Sequence, residues 1–193
     1  MKHVLLAISG PSGVGKGTIV KKILSRRKDV MLSVSCTTRL PREGETHGKE
    51  YFFISREEFF KHIDEGDFLE YDEHFGNYYG TLMSLVKEAL KEQSVILEID
   101  VVGALNAKKY FPECVLIMVV PPSIEELQKR LRGRNSETEE EIQKRLDRLT
   151  YEISQQKYYD YVVVNGELEA AAKEIENIID ENKKILNKEC ETL

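Results

Sequence analysis

The feature that most constrains this chain is a glycine-rich loop near its N-terminus. The loop reads GPSGVGKGT from Gly10 to Thr18, after the apolar residues 4–8 and before an amphipathic stretch. A strand, a glycine-rich turn and a helix in this order predict a phosphate-binding loop. Glycines let several backbone N–H groups point at one anion, the helix N-terminus adds its positive dipole end, and Lys16 reaches the outer phosphates. The alternative, a turn that only joins strand to helix, is disfavoured by the full G-x-x-x-x-G-K match.

One position of the loop departs from the usual pattern. Gly17 stands where a hydroxyl residue is expected straight after the lysine, and Thr18 follows one place later. We therefore expect Mg²⁺ to be held either by Thr18 or mostly through water and the phosphates. The loop predicts binding of a nucleoside triphosphate, but it does not identify the acceptor of the phosphoryl group.

Composition excludes several other classes of protein. The net charge of -6 argues against general nucleic-acid binding, which favours a basic surface. No apolar run approaches the ~20 residues that span a bilayer, and the N-terminus lacks a signal-peptide pattern. Three cysteines, far apart in the sequence, form neither a metal-ligand pair nor a disulfide framework. These observations favour a reduced, cytoplasmic enzyme without a membrane segment or a nucleic-acid partner.

Apolar runs alternate with amphipathic stretches along most of the chain. Strands are predicted at residues 4–8, 31–38, 95–99, 115–120 and 161–164, and helices at residues 18–27, 56–63, 82–92, 139–156 and 168–186, with a further helix starting at Ser123 and a frayed tail at residues 188–193. This order predicts an α/β fold, a mostly parallel sheet flanked by helices. Ligands bind at the C-terminal strand ends of such sheets, where the glycine loop and Asp100 both fall.

One segment interrupts this alternation of apolar and amphipathic stretches. Residues 31–81 contain short β-prone runs, a helix capped by Ser55, and residues 75–81, which are predicted to be a loop with two glycines and two tyrosines. The segment therefore predicts a strand-rich insertion into the α/β core.

The insertion carries a second group of residues suited to binding a nucleotide. Arg39 and Arg42 lie in a turn-rich loop, and guanidinium forks bind phosphate bidentately. Tyr51 and Tyr79 add phenolic donors. Glu70 and Asp100 are acceptors, and a carboxylate can accept from the N1–H and the exocyclic amine of guanine together, whereas adenine lacks the N1–H. Ser35 and Thr81 are candidates for the remaining base edge. Glu98 and Asp100 stay ambiguous, because either is a candidate to face magnesium through water.

These motifs together resemble those of the guanylate kinases over essentially the whole chain. The motifs that carry the resemblance are the glycine loop, S-V-S-C-T-T-R-L-P-R-E-G-E from Ser33 to Glu45, G-K-E-Y-F-F from Gly48 to Phe53, F-L-E from Phe68 to Glu70, G-N-Y-Y-G-T from Gly76 to Thr81, L-E-I-D from Leu97 to Asp100, and P-P-S from Pro121 to Ser123. The resemblance implies transfer of the γ-phosphoryl group of ATP to GMP, with Mg²⁺, in purine nucleotide metabolism.

The resemblance also implies a role for each matching position. ATP would be bound by Gly10, Pro11, Ser12, Gly13, Val14, Gly15, Lys16, Gly17, Thr18, Arg130, Arg134 and Asn165, the last on the adenine side. GMP would be bound by Ser35, Arg39, Arg42, Tyr51, Glu70, Tyr79, Thr81 and Asp100. The catalytic residues would be Lys16, Arg39, Arg134 and Arg145, with Thr18 as the candidate metal ligand.

The implied organisation is one domain over residues 1–193. Its core spans about residues 1–31, 82–122 and 157–193, its GMP-binding insertion about residues 32–81, and its helical lid about residues 123–156. The expected partners are the small molecules ATP and GMP, with dGMP as a candidate, and the expected state is a monomer or a homodimer. Two alternatives stay open: a kinase for another nucleoside monophosphate, and a non-catalytic guanylate-kinase-like binding module.

Overall fold

The computed structural model describes residues 3–74, 76–127, 149 and 151–191 of the chain. Its elements are β1 (Leu5–Ser9), α1 (Lys16–Arg26), β2 (Val30–Leu32), β3 (Cys36–Thr37), β4 (Phe52–Phe53), α2 (Arg56–Asp64), β5 (Phe68–His74), β6 (Asn77–Leu82), α3 (Met83–Glu92), β7 (Ser94–Glu98), α4 (Val101–Tyr110), β8 (Val115–Val120), β9 (Tyr161–Val164) and α5 (Leu168–Glu191), with a 3₁₀ helix at Gln155–Tyr158. Residues 124–127 and 151–154 are also helical.

Five parallel strands form the central sheet, in the order β2-β7-β1-β8-β9. β1 lies in the middle and all its residues are buried, as expected for an apolar run without alternation. Leu6 and Ile8 pack with α1 and α5 on one face, while Leu5 and Ala7 pack on the other face with residues of α3 and α4. The predicted α/β class is confirmed, and the helices lie on both faces of the sheet.

The strand-rich segment forms a second sheet, in the order β4-β3-β6-β5. It has its own small core, in which Phe59 of α2 stacks on Phe68 with ring centroids 4.5 Å apart. Helix α2 begins as predicted, since the Ser55 hydroxyl accepts a hydrogen bond from the Glu58 backbone N–H at 3.1 Å. The small sheet therefore holds its candidate binding residues on a packed platform.

Two predictions about this segment are wrong. Residues 31–38 do not form one strand, because β2 pairs with β7 in the central sheet whereas β3 pairs with β4 and β6 in the small sheet. The predicted loop over residues 75–81 is also wrong, because residues 77–81 belong to β6, which pairs antiparallel with β5 from His74↔Asn77 onward. The first error arises because strand propensity is local whereas the pairing partner is set by tertiary structure. The second arises because a glycine inside a strand gives the same sequence signal as a turn.

The position of Gly80 in β6 explains that second error. A Cβ at this residue would lie 2.6 Å from the Phe68 ring, so only glycine fits against the core of the small sheet. The turn is left to Gly76, which has a φ of 73°. The same residue type therefore serves packing at one position and chain reversal at the other.

Helix boundaries also differ from the prediction. α1 begins at Lys16 rather than residue 18, and α5 continues to Glu191, through most of the predicted tail. α4 was not predicted, while most of the helix predicted over residues 139–156 lies outside the described residues. No helix of the described part of the chain has the length and apolar character needed to cross a membrane.

Candidate active site

The glycine loop curls at the C-terminal end of β1. Gly10, Gly13 and Gly15 have φ values of 143°, 83° and 100°, in the left-handed region that favours glycine. A Cβ at Gly10 would lie 2.1 Å from the Val119 carbonyl oxygen of the neighbouring strand. The loop can therefore approach β8 this closely only because Gly10 has no side chain.

Two side chains fix the shape of the loop. The Lys16 ammonium donates to the carbonyl oxygens of Gly10 at 2.5 Å and Pro11 at 3.3 Å, which places its charge across the loop. The buried Asn165 amide donates to the Val14 carbonyl oxygen at 2.7 Å. Asn165 thus contacts the loop itself, a role that its distance in sequence hid, and its predicted place on the adenine side stays a prediction.

A cavity of about 350 Å³ opens beside this loop. It is lined by Ser12, Gly13, Gly15, Lys16, Gly17, Thr18, Lys21 and Glu98. Removal of the Glu98 carboxyl from water raises its pKa, while attraction to Lys16 and Lys21 opposes that shift. The cavity combines backbone N–H groups, two ammonium groups and oxygen donors, which suits a polyphosphate with its cation.

A second cavity, of about 540 Å³, joins the loop to the small sheet. Its lining residues are Lys16, Glu70, Tyr71, Asp72, Glu98, Ile99, Asp100 and Val102. The predicted donor-side lysine and the two predicted guanine acceptors therefore open onto one space. Sequence analysis missed Tyr71, Asp72 and Val102 as lining residues, although the alternation of β5 puts Asp72 on the same face as Glu70.

Glu70, at the wall of this cavity, is hydrogen-bonded to the neighbouring strand. The Thr81 hydroxyl donates to Glu70 Oε1 at 2.7 Å, and the hydroxyls of Ser35 and Thr81 are 3.4 Å apart. Burial is the main cause that raises the pKa of Glu70, helped by the charges of Asp100 and Asp72 and opposed by the Thr81 hydrogen bond. Three of the predicted guanine-binding residues thus form one hydrogen-bonded cluster.

Asp100, the fourth predicted guanine-binding residue, begins helix α4. Its Oδ1 accepts a hydrogen bond from the Gly103 backbone N–H at 2.8 Å. This N-cap fixes the carboxylate at the wall of the larger cavity, and α4 packs tightly there, because a Cβ at Gly103 would lie 2.9 Å from Glu70 Cγ. Of the ambiguous pair, Asp100 lines only the larger cavity, whereas Glu98 lines both.

The predicted phosphate clamp forms at the other end of the small sheet. The guanidinium carbon of Arg39 lies 5.6 Å from the centroids of both the Tyr51 and Phe53 rings, and the Tyr51 and Tyr79 rings are 5.8 Å apart. Contacts with Glu45 and then with Tyr79 raise the pKa of Arg39. The structure brings Arg39, Tyr51 and Tyr79 together, while the side chain of Arg42 is exposed on the same loop.

The predicted lid lies mostly outside the described residues. Arg130, Arg134 and Arg145 all fall there, so their predicted roles stay predictions. At the two ends of that stretch, Leu127 and Leu149 are buried in one small cluster with Ile153 packed against it. Among the described residues, no group of three or more His, Cys, Asp or Glu side chains has the arrangement of a metal centre.

Comparisons with known proteins agree with this geometry. The guanylate kinase family model matches residues 2–182. The chain is 50% identical over 183 residues to a guanylate kinase of Clostridioides difficile (strain 630), covering 94% of this chain and 89% of that protein. It is 48% identical over 177 residues to one of Caldanaerobacter subterraneus subsp. tengcongensis, covering 91% and 86%.

A solved structure extends the likeness to three dimensions. The crystal structure of guanylate kinase from Anaplasma phagocytophilum matches with a TM-score of 0.68 at 35% sequence identity, covering 93% of this chain and 86% of that one. The family match over residues 2–182 includes both the glycine loop and the small sheet that carries Glu70.

Proposed function

Because this chain belongs to the guanylate kinase family, we propose that its two joined cavities transfer the γ-phosphoryl group of ATP to GMP, giving ADP and GDP. Members of this family are ATP-dependent nucleoside monophosphate kinases, and the chain is such a phosphotransferase. The observation that carries the proposal is that Lys16 and Glu98 line the same cavity as Glu70 and Asp100. A donor phosphate and an acceptor nucleotide can therefore meet in one cavity.

Guanine is recognised by the cluster around Glu70. The Thr81 hydroxyl holds one carboxylate oxygen, which orients the group toward the cavity it lines. An ionised carboxylate accepts from both the N1–H and the exocyclic amine of guanine. Adenine presents no N1–H, so AMP would leave a partly desolvated carboxylate without its partners, and such a site discriminates strongly.

The phosphate of GMP is bound by the clamp of Arg39, Tyr51 and Tyr79, with Arg42 reaching from the same loop. A guanidinium fork and phenolic hydroxyls match the oxygens of a phosphate in direction as well as charge. Guanine at Glu70 and phosphate at Arg39 would stretch the nucleotide along the small sheet. That arrangement leaves a phosphate oxygen as the nucleophile.

Transfer needs positioning and neutralisation of charge rather than covalent chemistry. A GMP phosphate oxygen is ionised at neutral pH and attacks the γ-phosphorus in line, so no general base is required. The loop N–H groups and Lys16 stabilise the negative charge on the transferring group, and Arg134 and Arg145 are proposed to add to this from the lid. Closure over both nucleotides would exclude water and limit hydrolysis of ATP.

The cavity beside the loop fits a magnesium ion. Its Thr18 hydroxyl and Glu98 carboxylate are oxygen donors, the type that Mg²⁺ prefers. Thr18 would hold the cation directly or through water. Bound with ATP, Mg²⁺ would supply neutralisation of the β- and γ-phosphate oxygens.

The same proposal covers organisation and setting. We divide the chain into a core, a GMP-binding insertion over about residues 32–81 and a lid over about residues 123–156. We propose a cytoplasmic enzyme of purine nucleotide metabolism, monomeric or homodimeric, with dGMP as a candidate second acceptor. The sites named above for ATP, including Arg130 and Asn165, belong to this proposal.

A coupled assay of ADP release tests the function. ATP, Mg²⁺ and one of GMP, dGMP, AMP, UMP or dTMP are supplied in turn, and GMP is expected to give the highest kcat/KM. Faster turnover of AMP would contradict the guanine-binding role of Glu70 and Asp100. Tight binding of ATP and GMP without turnover would instead favour the non-catalytic binding module.

A further inference from the structure

Glu45 forms a bidentate ion pair with Arg39, the arginine of the proposed phosphate clamp. Its Oε2 and Oε1 accept hydrogen bonds from Nη1 and Nη2 of Arg39, each at 2.9 Å. Both side chains are partly buried, with 15% exposure for Arg39 and 19% for Glu45. Two parallel bonds of this kind fix the plane of a guanidinium as well as its position.

The geometry leaves one edge of the guanidinium directed away from Glu45. A guanidinium carries donors on Nε, Nη1 and Nη2, and Glu45 occupies the end made by the two Nη atoms. Nη1 also donates to the Leu40 carbonyl oxygen at 2.7 Å. The edge made by Nε and Nη2 therefore points to neither partner, and it is the edge that can receive a second anion bidentately.

Glu45 also organises the loop that carries both arginines. Its Oε2 accepts from the Arg42 backbone N–H at 2.7 Å, and its own N–H donates to the Arg42 carbonyl oxygen at 3.1 Å. Hydrogen bonds from Arg39 and from the Arg42 backbone lower the pKa of Glu45, so the carboxylate stays ionised across the neutral range. One carboxylate thus ties the side chain of one arginine to the backbone of the other.

We propose that Glu45 is a positioning residue for the phosphate of the acceptor nucleotide. It holds the central carbon of the Arg39 guanidinium 5.6 Å from the centroids of the Tyr51 and Phe53 rings, and Tyr79 also contacts this guanidinium. This inference rests on the proposed function, because it names how the phosphate end of that site is kept in shape before the nucleotide arrives. A preorganised guanidinium loses less side-chain freedom on binding, so the phosphate binds more tightly.

A purely structural ion pair would behave differently. If the pair only stabilised the loop, its loss would lower thermal stability and weaken the binding of all ligands of the small sheet alike. If Glu45 is a positioning residue, its substitution weakens the binding of ligands that carry a phosphate and spares ligands that lack one. GMP and guanosine differ in this one group, so the ratio of their affinities separates the two roles.

The experiment compares Glu45→Gln with the unsubstituted chain by calorimetric titration of GMP and guanosine. We expect GMP to bind about 10-fold more weakly, since a charge-assisted hydrogen bond contributes roughly that factor, while guanosine changes less than about 2-fold. Glu50→Gln is the matched control. Its carboxylate also accepts a backbone N–H of this loop, that of Thr46 at 2.7 Å, and it forms an ion pair with Lys49 rather than with an arginine.

A double substitution sharpens the test. If Glu45 acts through Arg39, then adding Glu45→Gln to Arg39→Gln changes GMP affinity less than about 2-fold. Equal losses of GMP and guanosine affinity, or a full 10-fold further loss in the Arg39→Gln background, would overturn the inference. Absence of GMP turnover by the unsubstituted chain would instead count against the proposed function. The titration would still test whether Glu45 positions Arg39, because it measures binding and not turnover.

Discussion

The Thr81 hydroxyl donates to Glu70 Oε1 at 2.7 Å, across the paired strands β5 and β6. The two residues are register partners, so the hydrogen bond follows from strand pairing and does not require a loop to be ordered. It holds an acidic group in a place where burial raises its pKa. Glu70 is therefore oriented for a ligand, while the burial of its ionised carboxylate lowers the stability of the unliganded fold.

The first prediction concerns base selectivity. Glu70→Gln replaces a carboxylate by an amide that presents donors toward the donors of guanine, so kcat/KM for GMP should fall about 10- to 100-fold. The KM for ATP should stay within about 2-fold, because Glu70 does not line the cavity of the glycine loop. Steady-state kinetics with each nucleotide varied in turn measure both values.

Glu73→Gln is the control for that substitution. Glu73 lies on the same strand, is exposed and does not line the larger cavity. Its kinetics should match those of the unsubstituted chain. Equal losses for GMP and ATP in Glu70→Gln would remove Glu70 from base recognition.

The second prediction is that the same substitution stabilises the fold at neutral pH. A carboxyl whose folded-state pKa is raised binds its proton more tightly in the native than in the unfolded chain, so native stability falls as pH rises through that interval. Glu70→Gln removes this penalty. Its Tm should exceed that of the unsubstituted chain at pH 7, and the difference should shrink below the unfolded-state pKa of about 4.3. A lower Tm for Glu70→Gln at pH 7 would contradict the direction of the shift.

The third prediction concerns the lysine of the loop. Lys16→Ala removes the ammonium that lies across Gly10 and Pro11, and loss of one preorganised charge stabiliser lowers kcat by about 10²- to 10³-fold. GMP affinity, measured by titration without ATP, should change much less. Lys22→Ala on the same helix is the control, because Lys22 pairs with Glu169 and does not line either nucleotide cavity. An unchanged kcat in Lys16→Ala would exclude the lysine from the mechanism.

Local patterns were enough to predict the parts of the fold that a short run of residues indicates by itself. The phosphate loop, strand β9 and the Ser55 cap were all predictable, because each depends on a short run of residues. Strand β6 was not, because its glycine at position 80 is required by Phe68, a contact formed only in the folded sheet. Turn signals and packing requirements use the same residue, and sequence alone does not separate them.

Helix α4 and residue Glu45 show the same limit in the site. α4 buries Val101, Gly103, Ala104 and Ala107, small or β-branched residues with little amphipathic contrast, so periodicity gave no clear signal. Glu45 lies within the motif that predicted the phosphate clamp, yet nothing in the sequence pairs its carboxylate with Arg39. That pairing depends on the fold of the loop, in which Glu45 hydrogen-bonds to Arg42 as well.

The fourth prediction separates two glycines of the loop by their surroundings. At Gly10 a Cβ would meet the Val119 backbone oxygen at 2.1 Å, and the φ of 143° is itself unfavourable for other residues. Gly10→Ala should therefore destabilise the native state by more than about 3 kcal/mol in urea unfolding.

Gly17 lies in α1 without a positive φ, and its nearest neighbour is the flexible end of Glu98. Gly17→Ala should be neutral or stabilising by up to about 1 kcal/mol, since alanine is the better helix former. Comparable destabilisation by both substitutions would show that the backbone is not what distinguishes them.

The fifth prediction addresses the metal and the missing hydroxyl. A Cβ at Gly17 would lie 3.2 Å from Glu98 Oε1. A serine at this position would therefore carry its hydroxyl beside a carboxylate that lines the cavity beside the glycine loop. Mg²⁺ is bound through few protein oxygens, so one added oxygen ligand has a large effect on its affinity. Gly17→Ser should therefore lower the Mg²⁺ concentration that gives half-maximal activity by about 2- to 10-fold. Gly17→Ala is the matched control, because it introduces the same Cβ without the hydroxyl, and its Mg²⁺ requirement should not fall. Thr18→Ala should raise that requirement if Thr18 holds the cation. An equal Mg²⁺ requirement in Gly17→Ser and Gly17→Ala would place the cation away from this side of the loop and leave water and the phosphates as its ligands there.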